Sequence, residues 1–282
     1  MSRTLSVSMQ SHLAGRSHTR CSMLRLDLRD GTSIGITDHD RDLTYNLGDG
    51  ALTYFADTGI LPSDVAFAVG LDADNYEVSG PIGDTVTLTA LLGGRLDRAR
   101  ARLFQVNHRN LSHGAIALMA GNVTEARAEG GRFVLEIRND FDRFNQTVGN
   151  IITNYCSGEH PNCCVNMGAE TATTVTAVIS VLEFTVAATL TDRHVPGRLW
   201  FTSGALDGTL PMEIVRRSGD TVELFQPLVE PPQIGDALVV KEGCNRTRTM
   251  CRDRFDNVLE FRGYPEVPGS DQIMRQPVPG QG

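Results

Sequence analysis

Apolar and polar positions alternate along most of the chain with the period of two that a half-buried strand requires. In CSMLRLDLRDGTSIGI, Leu24, Leu26 and Leu28 share one face ahead of Asp30-Gly31, and Ile34 and Ile36 fall on the returning strand, so a hairpin is expected. The same alternation predicts strands in DTVTLTALL (84–92) and ARARLFQVN (99–107), and two arms about Gly130-Gly131 in GNVTEARAEGGRFVLEIRND (121–140). An antiparallel β domain over about 15–140 accounts for these, preceded by a polar segment that is either helical or extended.

The texture then changes. FDRFNQTVGNIITNY (141–155) has mixed periodicity and reads as a short helix or a connector. Beyond it come Thr/Val-rich segments between Thr171 and Leu190, then GRLWFTSG, PMEIVRRSGDTVELF with a Gly-Asp turn, and IGDALVVKEGC. This second run of short strands predicts a small barrel or sandwich, and a helical turn is expected between Cys251 and Gly263. Two domains follow, 1–140 and 141–282, both mainly β and built as antiparallel barrels or sandwiches.

Composition supports a folded chain: 282 residues, 40% hydrophobic and 21% charged. The formal charge of −8, with no lysine/arginine stripe, argues against sequence-specific nucleic-acid binding. The stretch from Thr171 to Leu190 is threonine-rich and carries Glu183, which suits strands rather than a membrane-spanning helix. The first eighteen residues have no continuous apolar core, so no secretory signal is read and cytoplasmic synthesis is expected.

Against that background the cysteines stand out. There are six, and four form two pairs of matching spacing: Cys156 and Cys163, and Cys244 and Cys251, each seven positions apart and separated by about eighty residues. Cys21 reads as a small buried hydrophobe. Four converging thiolates are enough to close a tetrahedral zinc site or to hold an iron–sulfur cluster, and the spacing itself selects neither. Lys241, Arg246, Arg248, Arg252 and Arg254 are placed to offset the negative charge, and Phe255, Phe261 and Tyr264 to exclude water.

Two other constellations carry groups capable of chemistry. A cysteine hydrolase would use Cys156 or Cys163 as nucleophile with His160 or His194 as base, but no nucleophile signature surrounds either cysteine. TDHDRD (37–42) gathers Asp38, His39, Asp40 and Asp42, residues able to coordinate a cation but also those that polar turns select. Phosphate-binding, serine-elbow, zinc-protease and dinucleotide motifs are absent from the sequence, so no catalytic residue is assigned.

The ending GCNRTRTMCRDRFDNVLEFRGYPEVPG resembles the C-terminal signature of phage tail-tip proteins related to the lambda tail protein L. It matches at Gly243, Cys244, Cys251, Phe255, Asn257, Phe261, Gly263, Tyr264 and Pro265. DGTSIGITDHDRDL and GRFVLEIRNDFDRFNQTVG are similar to segments of the gene transfer agent and prophage branch. The resemblance implies a non-enzymatic baseplate hub protein carrying an iron–sulfur cluster, expected to be 4Fe-4S, with zinc as the alternative. Its ligands would be Cys156, Cys163, Cys244 and Cys251. Cys164 is the alternate to Cys163, which is preferred because neighbouring residues on extended chain point opposite ways.

The same resemblance implies a component of a phage-like particle's tail, a threefold ring of identical chains, a distal tail protein and a central tip or fibre protein as neighbours, and DNA passing through the lumen.

Overall fold

The structure is a computed structural model, and it describes residues 5–62, 75–140, 149, 152–158, 163 and 168–267. The chain divides into two compact units, residues 1–146 with 208–210, and 147–207 with 211–282.

The first unit opens with α1 (Val7–Leu13), whose N-cap Ser6 side chain accepts the Met9 N–H. A nine-stranded sheet follows. Its strands are β1 (Arg20–Asp27), β2 (Ser33–Thr37), β3 (Leu43–Asn46), β4 (Ala51–Phe55), β5 (Leu61–Pro62), β6 (Asn75–Pro81), β7 (Arg100–Asn107), β8 (Ala115–Glu129) and β9 (Arg132–Arg138), in the order β3-β4-β2-β1-β7-β8-β9-β6-β5. The expected hairpin is present: β1 and β2 pair antiparallel with Leu24 opposite Ile36 and Leu26 opposite Ile34. The β8–β9 arms pair about the Gly130-Gly131 turn, both glycines having positive φ.

β1 is buried on both faces because its period-two alternation feeds two cores. Leu24 and Leu26 join Leu103, Leu135 and Ile137 on one side. Cys21 and Met23 join Tyr54, Phe104 and Val106 on the other. Cys21 is thus the buried hydrophobe expected, and burial first, then the nearby Asp38 carboxylate, pushes its thiol up to about 11.

Two expectations fail in this unit. Residues 84–92 are not a strand. They hold α2 (Leu88–Leu92), started by Thr87, whose side chain accepts the Ala90 N–H at 3.1 Å, and anchored by buried Leu91. A cap and one buried leucine outweigh the Thr/Val β-propensity because that propensity depends on having a neighbouring strand to pack against. The sheet is also not wholly antiparallel, since β2 and β4 run parallel with Gly35 opposite Tyr54.

The second unit contains a closed six-stranded antiparallel barrel. Its strands are β10 (Glu170–Val178), β11 (Glu183–Val186), β12 (Gly197–Phe201), β13 (Met212–Ser218), β14 (Thr221–Leu224) and β15 (Ala237–Glu242), ordered β10-β11-β14-β13-β12-β15. Val175, Phe184, Leu199, Ile214, Val222, Leu238 and Val240 fill it. Closure pairs every strand and leaves no edge for another chain to add to. The Thr/Val segment is therefore β10 and β11, and no helix among the described residues is long and apolar enough to cross a membrane.

Candidate metal centre

All four predicted thiols lie in the second unit, on two segments that flank the barrel in sequence. Cys156 and Cys163 come from the connector before β10. Cys244 follows the end of β15, and Cys251 sits inside α3 (Arg248–Asp253). That helix starts before Cys251, and the helical turn expected between Cys251 and Gly263 is a separate 3-10 turn, Val258–Glu260. Thr247 caps it by accepting the Met250 N–H at 3.3 Å, and Asn245 Oδ1 accepts the Thr247 N–H at 3.1 Å, turning the chain out of the barrel and into the helix.

Cys163 and Cys251 are buried together, and Cys244, Phe255 and Phe261 pack against them. Cys156 is also buried and joins through hydrogen bonds: its N–H donates to the Arg246 carbonyl at 2.9 Å, and its sulfur accepts the Arg262 N–H at 3.4 Å. The Cys244 sulfur accepts the Arg246 N–H at 3.2 Å, and the Cys251 thiol lies 3.0 Å from the Asn257 carbonyl. None of these cysteines is in a disulfide. Cys164 and His160 lie outside the described residues.

Arg246 organises this crossing. Its φ of 63° is left-handed, unusual for a residue with a side chain, and in that conformation its N–H meets the Cys244 sulfur while its carbonyl meets Cys156. Its guanidinium lies beside Gly158, where an added Cβ would stand 3.6 Å from Arg246 Nε and 3.9 Å from Cys163 Sγ. One residue thereby touches the surroundings of three thiols.

The other expected counter-charges go elsewhere. Lys241 pairs with Glu170 at 2.8 Å, Arg252 with Asp253 at 2.6 Å, and Arg248 approaches Glu266 at 3.9 Å. Arg254 binds main chain: its guanidinium donates to the carbonyls of Asp192, Arg193, Val195 and Gly243, clamping the end of α3 to the strand end that carries Cys244. Nothing in a run of arginines distinguishes such a clamp from a solvated loop. Phe255 and Phe261 do cover the thiols, but Tyr264 is 54% exposed and does not.

The glycines of the ending are required by close approach. A Cβ on Gly243 would fall inside contact with the Pro196 carbonyl and 2.9 Å from Gly197 Cα, and one on Gly263 would lie 2.8 Å from the Tyr155 carbonyl carbon. Beside Gly263, Tyr264 N–H donates to Thr153 at 2.8 Å, so the last described segment runs against the chain just before Cys156.

As a donor set, these residues suit a thiolate-held group: sulfurs, largely buried, two accepting main-chain N–H bonds, with a guanidinium alongside. Among the described residues no three His, Cys, Asp or Glu side chains are grouped so as to hold a single metal ion. For the hydrolase alternative, His194 Nδ1 is engaged by the Thr191 N–H at 3.1 Å.

Residues 6–159, more than half of the chain, match a family model described as the N-terminal attachment domain of a baseplate hub protein. Residues 193–271, which include Cys244, Cys251 and the glycine-rich ending, match one described as phage conserved hypothetical protein BR0599. The chain is similar over 98% of its length to a solved chain of the virion of a native gene transfer agent particle, with 27% identity, a TM-score of 0.77 and 97% of that chain covered. Among curated proteins none matches.

Proposed function

The chain belongs to the baseplate hub protein family, and on that premise we propose that it is a structural, non-enzymatic hub of a gene transfer agent tail whose C-terminal segment is stapled by an iron–sulfur cluster. Cys156, Cys163, Cys244 and Cys251 would hold the cluster. Bound there, it would supply a fixed inorganic cross-link between the connector before the barrel and the segment after it. The observation that carries this reading is the burial of Cys163 with Cys251, and of Cys244 against both, from opposite sides of an eighty-residue insertion.

Zinc, the alternative, would need the same four thiolates drawn to about 2.3 Å from one point. An iron–sulfur core is larger and takes its thiolates at separate irons. Main-chain N–H donation to Cys156 and Cys244 and the Arg246 guanidinium would stabilise the anionic centre.

In the tail, the hub would form a threefold ring of identical chains between a distal tail protein and a central tip or fibre protein, with DNA passing through the lumen. Likeness to a chain of a gene transfer agent virion supports this setting. The test is iron and acid-labile sulfide analysis of anaerobically purified protein, with electron microscopy of the particle tip. Brown protein with iron and sulfide is expected. Colourless protein that contains zinc, or no metal, overturns the cluster, and absence of the chain from the tip overturns the hub.

A further inference from the structure

TDHDRD plays no part in the thiol centre, yet its histidine has a partner far away in sequence. His39, on the turn after β2, and His108, just past β7, bring Nε2 and Nδ1 to 3.2 Å, with ring centroids 4.6 Å apart. Both turns are fixed to β1. Asp38 accepts the Ser22 N–H at 2.7 Å and returns its own N–H to the Ser22 carbonyl, while His108 N–H donates to the Thr19 carbonyl at 3.0 Å. On the far side of the His39 ring, Nδ1 lies 3.0 Å from the Asp40 carboxylate.

We propose that His39 Nε2 and His108 Nδ1 form a clip for one divalent transition ion of the zinc class. Two imidazole nitrogens 3.2 Å apart, each about 2.0–2.1 Å from an ion, subtend about 100° at it, between the octahedral and tetrahedral values. The present separation of the two nitrogens therefore suits an ion. Asp40 occupies the place of the carboxylate that orients a metal-binding histidine by accepting its second ring N–H.

Without an ion, Arg41 N–H donates to His39 Nδ1 at 3.1 Å, which leaves the ring proton on Nε2 to bridge to His108. On binding, that proton passes to Nδ1 and is donated to Asp40, the Arg41 N–H turns from Nδ1 to solvent, and the ion sits beside the N···N line at the apex of that angle. The charge of the tautomer does not change. No third His, Cys, Asp or Glu completes the grouping among the described residues, so the ion keeps water in its remaining positions. Borderline ions that favour imidazole are the class selected; calcium and magnesium, which prefer oxygen, are not.

The test is histidine-ring NMR of the full chain, with its thiol centre as purified, during titration with zinc chloride and separately with magnesium chloride. Expected is a joint shift of the His39 and His108 ring nitrogens with zinc and none with magnesium. His39→Asn and His108→Gln should each weaken this binding roughly tenfold or more, and His18→Asn, at an exposed position before β1, should leave it unchanged. Both clip variants keep a polar side chain on a turn, and circular dichroism checks their fold. Shifts confined to other histidines, or unchanged affinity in either folded clip variant, overturn the assignment. The thiol centre can fail its own test without affecting this one.

Discussion

The barrel and the segment that follows it are joined by the single residue Gly243 but are held in different ways. The barrel is filled by apolar side chains and closed by its own ladder, so each strand is stabilised by its neighbours. The segment from Cys244 to Val267 offers little to bury. Its most covered side chains include two thiols and two phenylalanines, and its attachments include main-chain hydrogen bonds, the Arg254 clamp, the Arg193 guanidinium over Phe255 and the close approach at Gly263. What apolar area it does bury stabilises it by about 25 cal/mol per Å², against roughly 1–2 kcal/mol for ordering each residue's backbone. The proposed cross-link would supply what packing there lacks.

The contrast can be broken most sharply at Cys251. Cys251→Ser should abolish iron binding and remove a constraint on an eighty-residue loop, on the order of 4.5 kcal/mol in the chain-entropy picture. Limited proteolysis should then cut after Gly243 while the barrel's circular dichroism persists. Retention of iron in a soluble, assembling Cys251→Ser protein would count against the staple. The converse is Phe184→Ala, which empties the barrel core at a fully buried position and should cost about 4 kcal/mol. It should lower the melting temperature of the whole unit rather than release the segment alone.

Gly243→Ala tests the joint itself. The added methyl meets the Pro196 carbonyl, and overpacking of this kind costs about 3 kcal/mol, read by chemical denaturation. Arg254→Lys keeps the charge but loses the planar fork that reaches four carbonyls. We expect about 2 kcal/mol and faster proteolysis of α3.

The smallest effect lies in the first unit and separates acid sensitivity there from any at the thiols. Burial works to raise the Asp27 pKa, but hydrogen bonds from Ser33, Arg25 and Arg102 outweigh it and hold it below the usual carboxylate value. A depressed carboxylate contributes stability above its unfolded pKa of about 3.9 and loses it as pH falls through the lower folded value. Asp27→Asn should therefore flatten the loss of stability below about pH 4, measured by urea denaturation across that range.

Much of the fold was legible because strands advertise themselves by period: Leu24, Leu26, Ile34 and Ile36 lie in the register their alternation implies. Residues 84–92 misled because five helical residues are too few to show a 3.6-residue period, leaving only the Thr87 cap as a signal. At the site, the structure brings the segments carrying the paired cysteines together, with Phe255 and Phe261 packed against Cys163 and Cys251. What Arg246 and Arg254 do was not legible. Their roles lie in a left-handed backbone and in carbonyls some sixty residues away, and side-chain identity encodes neither.

The barrel is an insertion between Cys163 and Cys251, and this gives synthesis a direction. A chain leaving the ribosome exposes its first thiols while their partner is still untranslated, and the strands in between are complete before α3 emerges. The lid of Phe255 and Phe261 can close only over a chain read almost to its end. A prematurely terminated product would therefore lack the helix and the two phenylalanines that cover Cys163.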